Sequence, residues 1–249
     1  MYEIKNKLFM RTSAIALATI LITLMISSRE SLNFANAHAS PYDNGTIAHS
    51  THIPPVVLVH GYNEGSWVWS NREHLLSQDH IPFCAVTFLN SDECGSASDH
   101  ATELNQIIQD VKHLTFSSQV NIVTHSKGGL DARVYLANTR TTDVANLIMI
   151  GTHAGDILAN FDLTDPCKPA VFDLQVGALD TMATQNPNTI YYIIAGVCLL
   201  WPVPNDGLVP LYSVESLGYS TSLGHTPHCH MSLLGRPEYN NALSVFTGE

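Results

Sequence analysis

Short, mainly apolar runs alternate along this chain with longer segments whose apolar residues recur at helical spacing. The runs fall at residues 55–59, 83–89, 120–124, 147–150 and 190–197, and they are rich in Val and Ile. A continuous apolar run of this length fits a strand covered on both faces, as in a parallel sheet. Between the runs, residues 66–77 read as a loop passing into a helix. Ser98 or Asp99 can cap another helix, and Leu104, Ile107, Ile108, Val111 and Leu114 then mark one apolar face. A helix follows the third run to about Asn138, and Val171 to Met182 can form a short one. A terminal helix carries Pro237 in its first turn and turns Leu243, Val245 and Phe246 inward. Strand–helix alternation from 55 to 197 predicts an α/β fold, a mostly parallel central sheet with helices on both faces.

The N-terminal stretch stands apart. Lys5, Lys7 and Arg11 precede an apolar run from Ala14 to Ile26, and Ala37-His38-Ala39 offers small residues where an export peptidase reads them. The run falls short of the ~20 residues of a spanning helix. Residues 1–39 are therefore expected to be a secretory signal, with an uncleaved N-terminal anchor as the alternative. Residues 40–249 are expected to form one domain that is secreted or extracytoplasmic, with 40–53 as a polar lead-in. Export draws attention to the cysteines. Cys84, Cys94, Cys167, Cys198 and Cys229 could form two disulfides and leave one thiol. Cys84 with Cys94 is one plausible pair, and Cys198 could reach Cys167 or Cys229. No C-x-x-C spacing suggests structural zinc.

Composition narrows the partners. Of 249 residues 45% are hydrophobic, enough for a real core, and the formal net charge is −11 with no basic block. Such a chain is a poor fit to nucleic acid or to an anionic lipid surface.

The chemistry gathers around Val120-Asn121-Ile122-Val123-Thr124-His125-Ser126-Lys127-Gly128-Gly129-Leu130. An apolar run stops at a serine, two glycines follow, and a helical pattern begins. A sharp strand-to-helix turn of this kind lifts one hydroxyl clear of the backbone and aims the next amide at developing negative charge. The segment resembles the G-x-S-x-G elbow of the α/β-hydrolases, in particular small secreted lipases and esterases. Thr124 replaces the first glycine of that motif. The resemblance implies an α/β-hydrolase fold with a small or minimal cap, placed by the weakly periodic segment 156–189. It makes Ser126 the nucleophile. His60-Gly61, after the first strand, matches the second hydrolase signature, so the backbone amides of Tyr62 and Lys127 are the implied oxyanion hole. Trp67 and Trp69 could line an acyl pocket or pack their helix on the sheet. The Lys127 side chain is given no chemical role, and Asp131 and Arg133 read as a structural ion pair or helix contacts.

The hydrolase order is serine, acid, histidine. His153, in Gly151-Thr152-His153-Ala154-Gly155, comes too early and reads as a loop residue near the pocket. Asp206 in Asn205-Asp206-Gly207-Leu208-Val209 matches the N-D-G-L-V of related lipases and is the implied acid, with Asp162, Asp165 and Asp173 as rivals. His230, followed by Met231-Ser232-Leu233-Leu234, is the implied base, ahead of His225 and His228. Three histidines so close together also allow a zinc site. A Ser–His–Asp hydrolase implies no cofactor, an ester or lipid substrate, and transient contact with a membrane or lipid interface. An acyltransferase or lipid-anchor deacylase would use the same site. A non-catalytic binding protein of this fold would carry a broken triad, whereas all three members are present.

Overall fold

The computed structural model describes residues 53–154, 166–175, 184–201 and 203–248. The signal-like stretch and much of the expected cap, including Asp162, Asp165 and the end of the helix expected over 171–182, lie outside them. Among the described residues six strands form one parallel sheet: β1 (Val56–Val59), β2 (Phe83–Ala85), β3 (Val120–His125), β4 (Val144–Ile150), β5 (Ile190–Gly196) and β6 (Ser220–Thr226). Their order is β2-β1-β3-β4-β5-β6. The helices are α1 (Ser70–Gln78), α2 (Ala97–Thr115), α3 (Gly128–Thr139), α4 (Lys168–Asp173), α5 (Leu211–Glu215) and α6 (Arg236–Thr247). Among the described residues no helix is long and apolar enough to cross a membrane.

Alternation along β1 explains the layers. Val57 and Val59 face a core built with Ile122, Leu104, Ile108, Leu130 and Tyr135, which puts α2 and α3 on one side. Val56 and Leu58 face Trp69, Leu75, Leu76, Tyr239 and Ala242, which puts α1 and α6 on the other. Each fully buried aliphatic side chain contributes about 1.5–3 kcal/mol. Trp69 is a core residue, whereas Trp67 is exposed.

Several expectations shift. The run expected as a strand over 83–89 pairs only through Ala85, because beyond it the chain turns away and Leu89 is exposed. The cap of α2 is Ser96, whose Oγ accepts from the Asp99 amide, rather than Ser98 or Asp99. The short helix expected to begin at Val171 begins at Lys168 instead. β6 was not expected at all. Its sequence Ser-Thr-Ser-Leu-Gly-His-Thr has no apolar run, because it is an edge strand paired only to β5 and exposed over most of its length. The disulfides are Cys94–Cys167 and Cys198–Cys229, and Cys84 is free. The expected Cys84–Cys94 pair fails because Cys84 lies in β2 with its side chain in the core, where burial pushes its thiol up to about 12.

Candidate active site

The strand order reverses between β1 and β3: the connection after β1 leads outward to β2 and the connection after β3 leads the other way to β4. In a parallel sheet this reversal opens a crevice beyond the carboxyl ends of the strands. The loop after β1 brings His60 to Glu64 there, and β3 delivers Ser126. Ser126 adopts a φ of 50°, a left-handed conformation that costs a non-glycine residue about 1–2 kcal/mol. The structure holds it there from both sides. The Ser126 amide donates to the Ile150 carbonyl (2.9 Å), and its carbonyl accepts from the Thr152 hydroxyl (2.9 Å). Thr124, standing where the elbow motif has glycine, is buried and donates its hydroxyl to the Ile148 carbonyl (3.4 Å).

Gly128 shows how tightly the elbow is packed. A Cβ there would land on the carbonyl oxygens of His60 and Val59, both main-chain atoms that cannot rotate away. Gly128→Ala is therefore expected to destabilise the fold by about 3 kcal/mol, the upper end for overpacking, with a matching fall in thermal midpoint. An unchanged midpoint would show that helix α3 can slide off β1.

The implied acid and base come together. Asp206 Oδ2 accepts from His230 Nδ1 at 2.7 Å, and the His230 amide donates to the Asp206 carbonyl at 2.8 Å, so main chain and side chain both join the two residues. Asp206 Oδ1 accepts from the amides of Leu208 (2.9 Å) and Val209 (2.7 Å), which fixes the carboxylate in its turn. Both residues are buried. The glycine of Gly151-Thr152 makes room for His230: a Cβ at Gly151 would sit 3.3 Å from His230 Nδ1 and Cε1. The base loop also reaches the elbow, because His125 Nε2 lies 3.1 Å from the His230 carbonyl oxygen. Among the described residues no hydrogen bond joins the Ser126 hydroxyl to the His230 ring. Hydrogen bonds of this type often tighten only when substrate binds.

The rival residues have other partners. His228 Nδ1 pairs with Glu238 at 2.7 Å and His225 is exposed, so the three histidines do not converge. Asp173 accepts from the Ala97 amide. Among the described residues no group of three or more metal-binding side chains is placed to hold an ion.

The implied oxyanion amides are fixed from behind. His60 Nδ1 donates to the Gly61 carbonyl at 3.0 Å. That carbonyl shares a peptide plane with the Tyr62 N–H and so sets the direction of that N–H. The Lys127 side chain is fully buried, and its Nζ donates to Asp131 Oδ1 at 2.7 Å. Asp131 Oδ2 accepts from His100 Nδ1 at 2.8 Å, and His100 Nε2 donates to the Asp92 carbonyl at 2.7 Å. Asp131 therefore pairs with Lys127 and His100, not with Arg133, because its side chain turns back one helical turn towards the elbow. The sequence reading missed this cluster and also Glu64 and His125. The histidine before the serine and the lysine after it were visible signals, but their partners lie on other loops.

Cys198–Cys229 ties the end of β5 to the residue before His230 across a separation of 31. Replacing both cysteines by serine is expected to cost about 3–4 kcal/mol in loop entropy and to weaken the hold on the base. Urea melts and initial rates of the double variant check this. Retention of full stability and rate would show that the loop holds itself.

Comparisons with known proteins agree with this architecture. Residues 55–187 match the family model described as palmitoyl protein thioesterase. The fold is similar to that of the mature lipase BlEst2 of Bacillus licheniformis, with a TM-score of 0.64 and 22% identity over 79% of this chain and 91% of that one. It is also similar to a putative aryl esterase from Burkholderia cenocepacia (TM-score 0.58, 15% identity, 78% and 89% covered). A third likeness is to the esterase EaEST of Exiguobacterium antarcticum (TM-score 0.56, 14% identity, 79% and 92% covered).

Proposed function

As a member of the palmitoyl protein thioesterase family, this chain is a carboxylic-ester hydrolase, and we propose that it is an exported serine hydrolase that cleaves fatty-acyl esters or thioesters with Ser126, His230 and Asp206. The observation that carries the reading is the buried Asp206–His230 pair, joined through side chain and main chain beside a strand-to-helix turn with Ser126 at its apex.

Ser126 Oγ attacks the acyl carbonyl carbon while His230 Nε2 takes its proton. The carbonyl becomes an oxyanion that accepts from the amides of Tyr62 and Lys127. Loss of one such donor typically costs about 3 kcal/mol of transition-state stabilisation. The tetrahedral intermediate then collapses, and His230 returns the proton to the leaving alkoxide or thiolate. Water attacks the acyl-enzyme by the same route in reverse, releasing the acid and free Ser126. Asp206 keeps the His230 Nδ1–H in place, so that Nε2 is the basic nitrogen, and stabilises the imidazolium. The chemistry needs no cofactor.

Two disulfides fit an oxidising compartment, which supports export directed by residues 1–39, with 40–249 as the mature domain. Leu200, Trp201 and Met231 are exposed on the loops joined by Cys198–Cys229 and beside His230. Such side chains favour transient contact with a lipid interface.

A fluorophosphonate probe tests the assignment. The full chain is expected to take up one adduct on the peptide holding Ser126, and the Ser126→Ala protein none. A palmitoyl thioester and a nitrophenyl palmitate would then be hydrolysed by the first protein only. Absence of Ser126-dependent labelling would overturn the serine hydrolase reading and leave a binding protein of this fold.

A further inference from the structure

A second carboxylate–imidazole pair lies directly behind the first. Glu64, on the loop after β1, is buried, and its Oε2 accepts from the Gly61 amide at 2.7 Å and from His125 Nδ1 at 2.9 Å. His125 is also fully buried, at the end of β3 immediately before Ser126. Its other nitrogen, Nε2, donates to the His230 carbonyl at 3.1 Å, and the rings of His125 and His230 lie 4.9 Å apart.

We propose that Glu64 and His125 are positioning residues, a buried carboxylate–histidine pair that locks the oxyanion loop, the elbow and the base loop into one unit. The proposal rests on the Ser126–His230–Asp206 reading and adds two residues that touch neither substrate nor reacting atoms. Its basis is geometry. A carboxylate oxygen and a carbonyl oxygen from two other loops face the two nitrogens of His125, at 2.9 and 3.1 Å, and all of these groups are shut away from water. Buried polar groups of this kind are held by one another. Burial alone would raise the Glu64 carboxyl, but the hydrogen bond and charge of His125 and the Gly61 amide outweigh it and hold it below the usual carboxylate range. The titratable groups facing the pair are His230 from the base loop and His60 from the oxyanion loop, the latter itself lowered by burial.

Each of the three bonds joins a different part of the site. Glu64 to the Gly61 amide sets the His60–Gly61 peptide in the loop after β1. Glu64 to His125 ties that loop to the residue before the nucleophile. His125 to the His230 carbonyl ties the nucleophile strand to the base loop. With Glu64→Gln the carboxylate that holds His125 and the Gly61 amide together is lost, and both contacts weaken.

The test uses the full chain, with Glu64→Gln, His125→Gln and the double variant, all assayed on nitrophenyl esters. Misplacing reacting groups by about 1 Å costs about 100-fold. Each single variant is expected to lower kcat by about 10- to 100-fold with KM within twofold, and the double variant to be no slower than the slower single. Glu64→Asp, which keeps the charge, is expected to recover part of the rate. Proton NMR of the unaltered protein is expected to show a slowly exchanging ring N–H of His125, a readout that survives if a variant does not fold. An unchanged kcat, additive losses or a freely exchanging His125 ring N–H would overturn the proposal. Ser126-dependent fluorophosphonate labelling of the unaltered protein separates that result from failure of the hydrolase reading itself.

Discussion

Replacing Ser126 with alanine is expected to lower kcat on an activated acyl ester by about 10⁴- to 10⁶-fold, the range found when the nucleophile of a triad is removed. The residual rate would come from the oxyanion amides and from binding, neither of which the substitution removes. KM should stay within a few-fold, because the hydroxyl acts in the transition state rather than in ground-state binding. Stability should hardly change with alanine, since both residues suffer the same strain at a φ of 50°. Ser126→Gly should be equally inactive but more stable by about 1 kcal/mol, because glycine adopts that φ freely. Initial rates and thermal melts on the three proteins check both halves. A Ser126→Ala enzyme that kept even a tenth of its rate would mean the chemistry lies elsewhere.

The second large effect concerns stability. Asp131 lies in α3 with almost no exposure, facing Lys127 Nζ and His100 Nδ1. Asp131→Asn leaves a buried ammonium and a buried imidazole without their carboxylate. Breaking a buried pair on one side typically costs about 3–5 kcal/mol. The loss should reach the site as well, because the Lys127 amide is the proposed second oxyanion donor and its side chain is anchored only through this cluster among the described residues. The pH dependence has a definite sign. Burial alone would raise the Asp131 carboxyl, but Lys127 and His100 outweigh it and hold it below its ordinary value. Its contribution is complete above the unfolded-state value of about 4 and is lost as pH falls through the lower folded-state value. Urea melts should show the full difference between the two proteins at pH 7 and a shrinking one below about pH 4. A difference that persisted at low pH would assign the effect to packing rather than charge.

The resemblance between local segments and a hydrolase pattern extended to geometry only where short-range rules apply. The apolar runs at 55–59, 120–124, 147–150 and 190–197 became β1, β3, β4 and β5, because a strand covered on both faces is apolar along nearly its whole length, which the sequence displays directly. Ser126 sits at a turn whose small neighbours, Gly128 and Gly129, are adjacent in the chain, so its conformation could be read locally. β6 left no such trace, since an exposed edge strand needs no apolar run and is held by its ladder to β5.

The amino-acid order by itself determined the parallel α/β layering, the elbow at Ser126 and the candidates Asp206 and His230, because strand periodicity and turn chemistry are properties of neighbouring residues. Only the tertiary structure decided which histidine meets Asp206, that Cys94 joins Cys167 rather than Cys84, and that Glu64 and Asp131 find His125 and His100. Those pairings connect side chains from 24 to 73 positions apart. The bonds that select them are short-ranged, and nothing in the intervening sequence encodes the distance they must close.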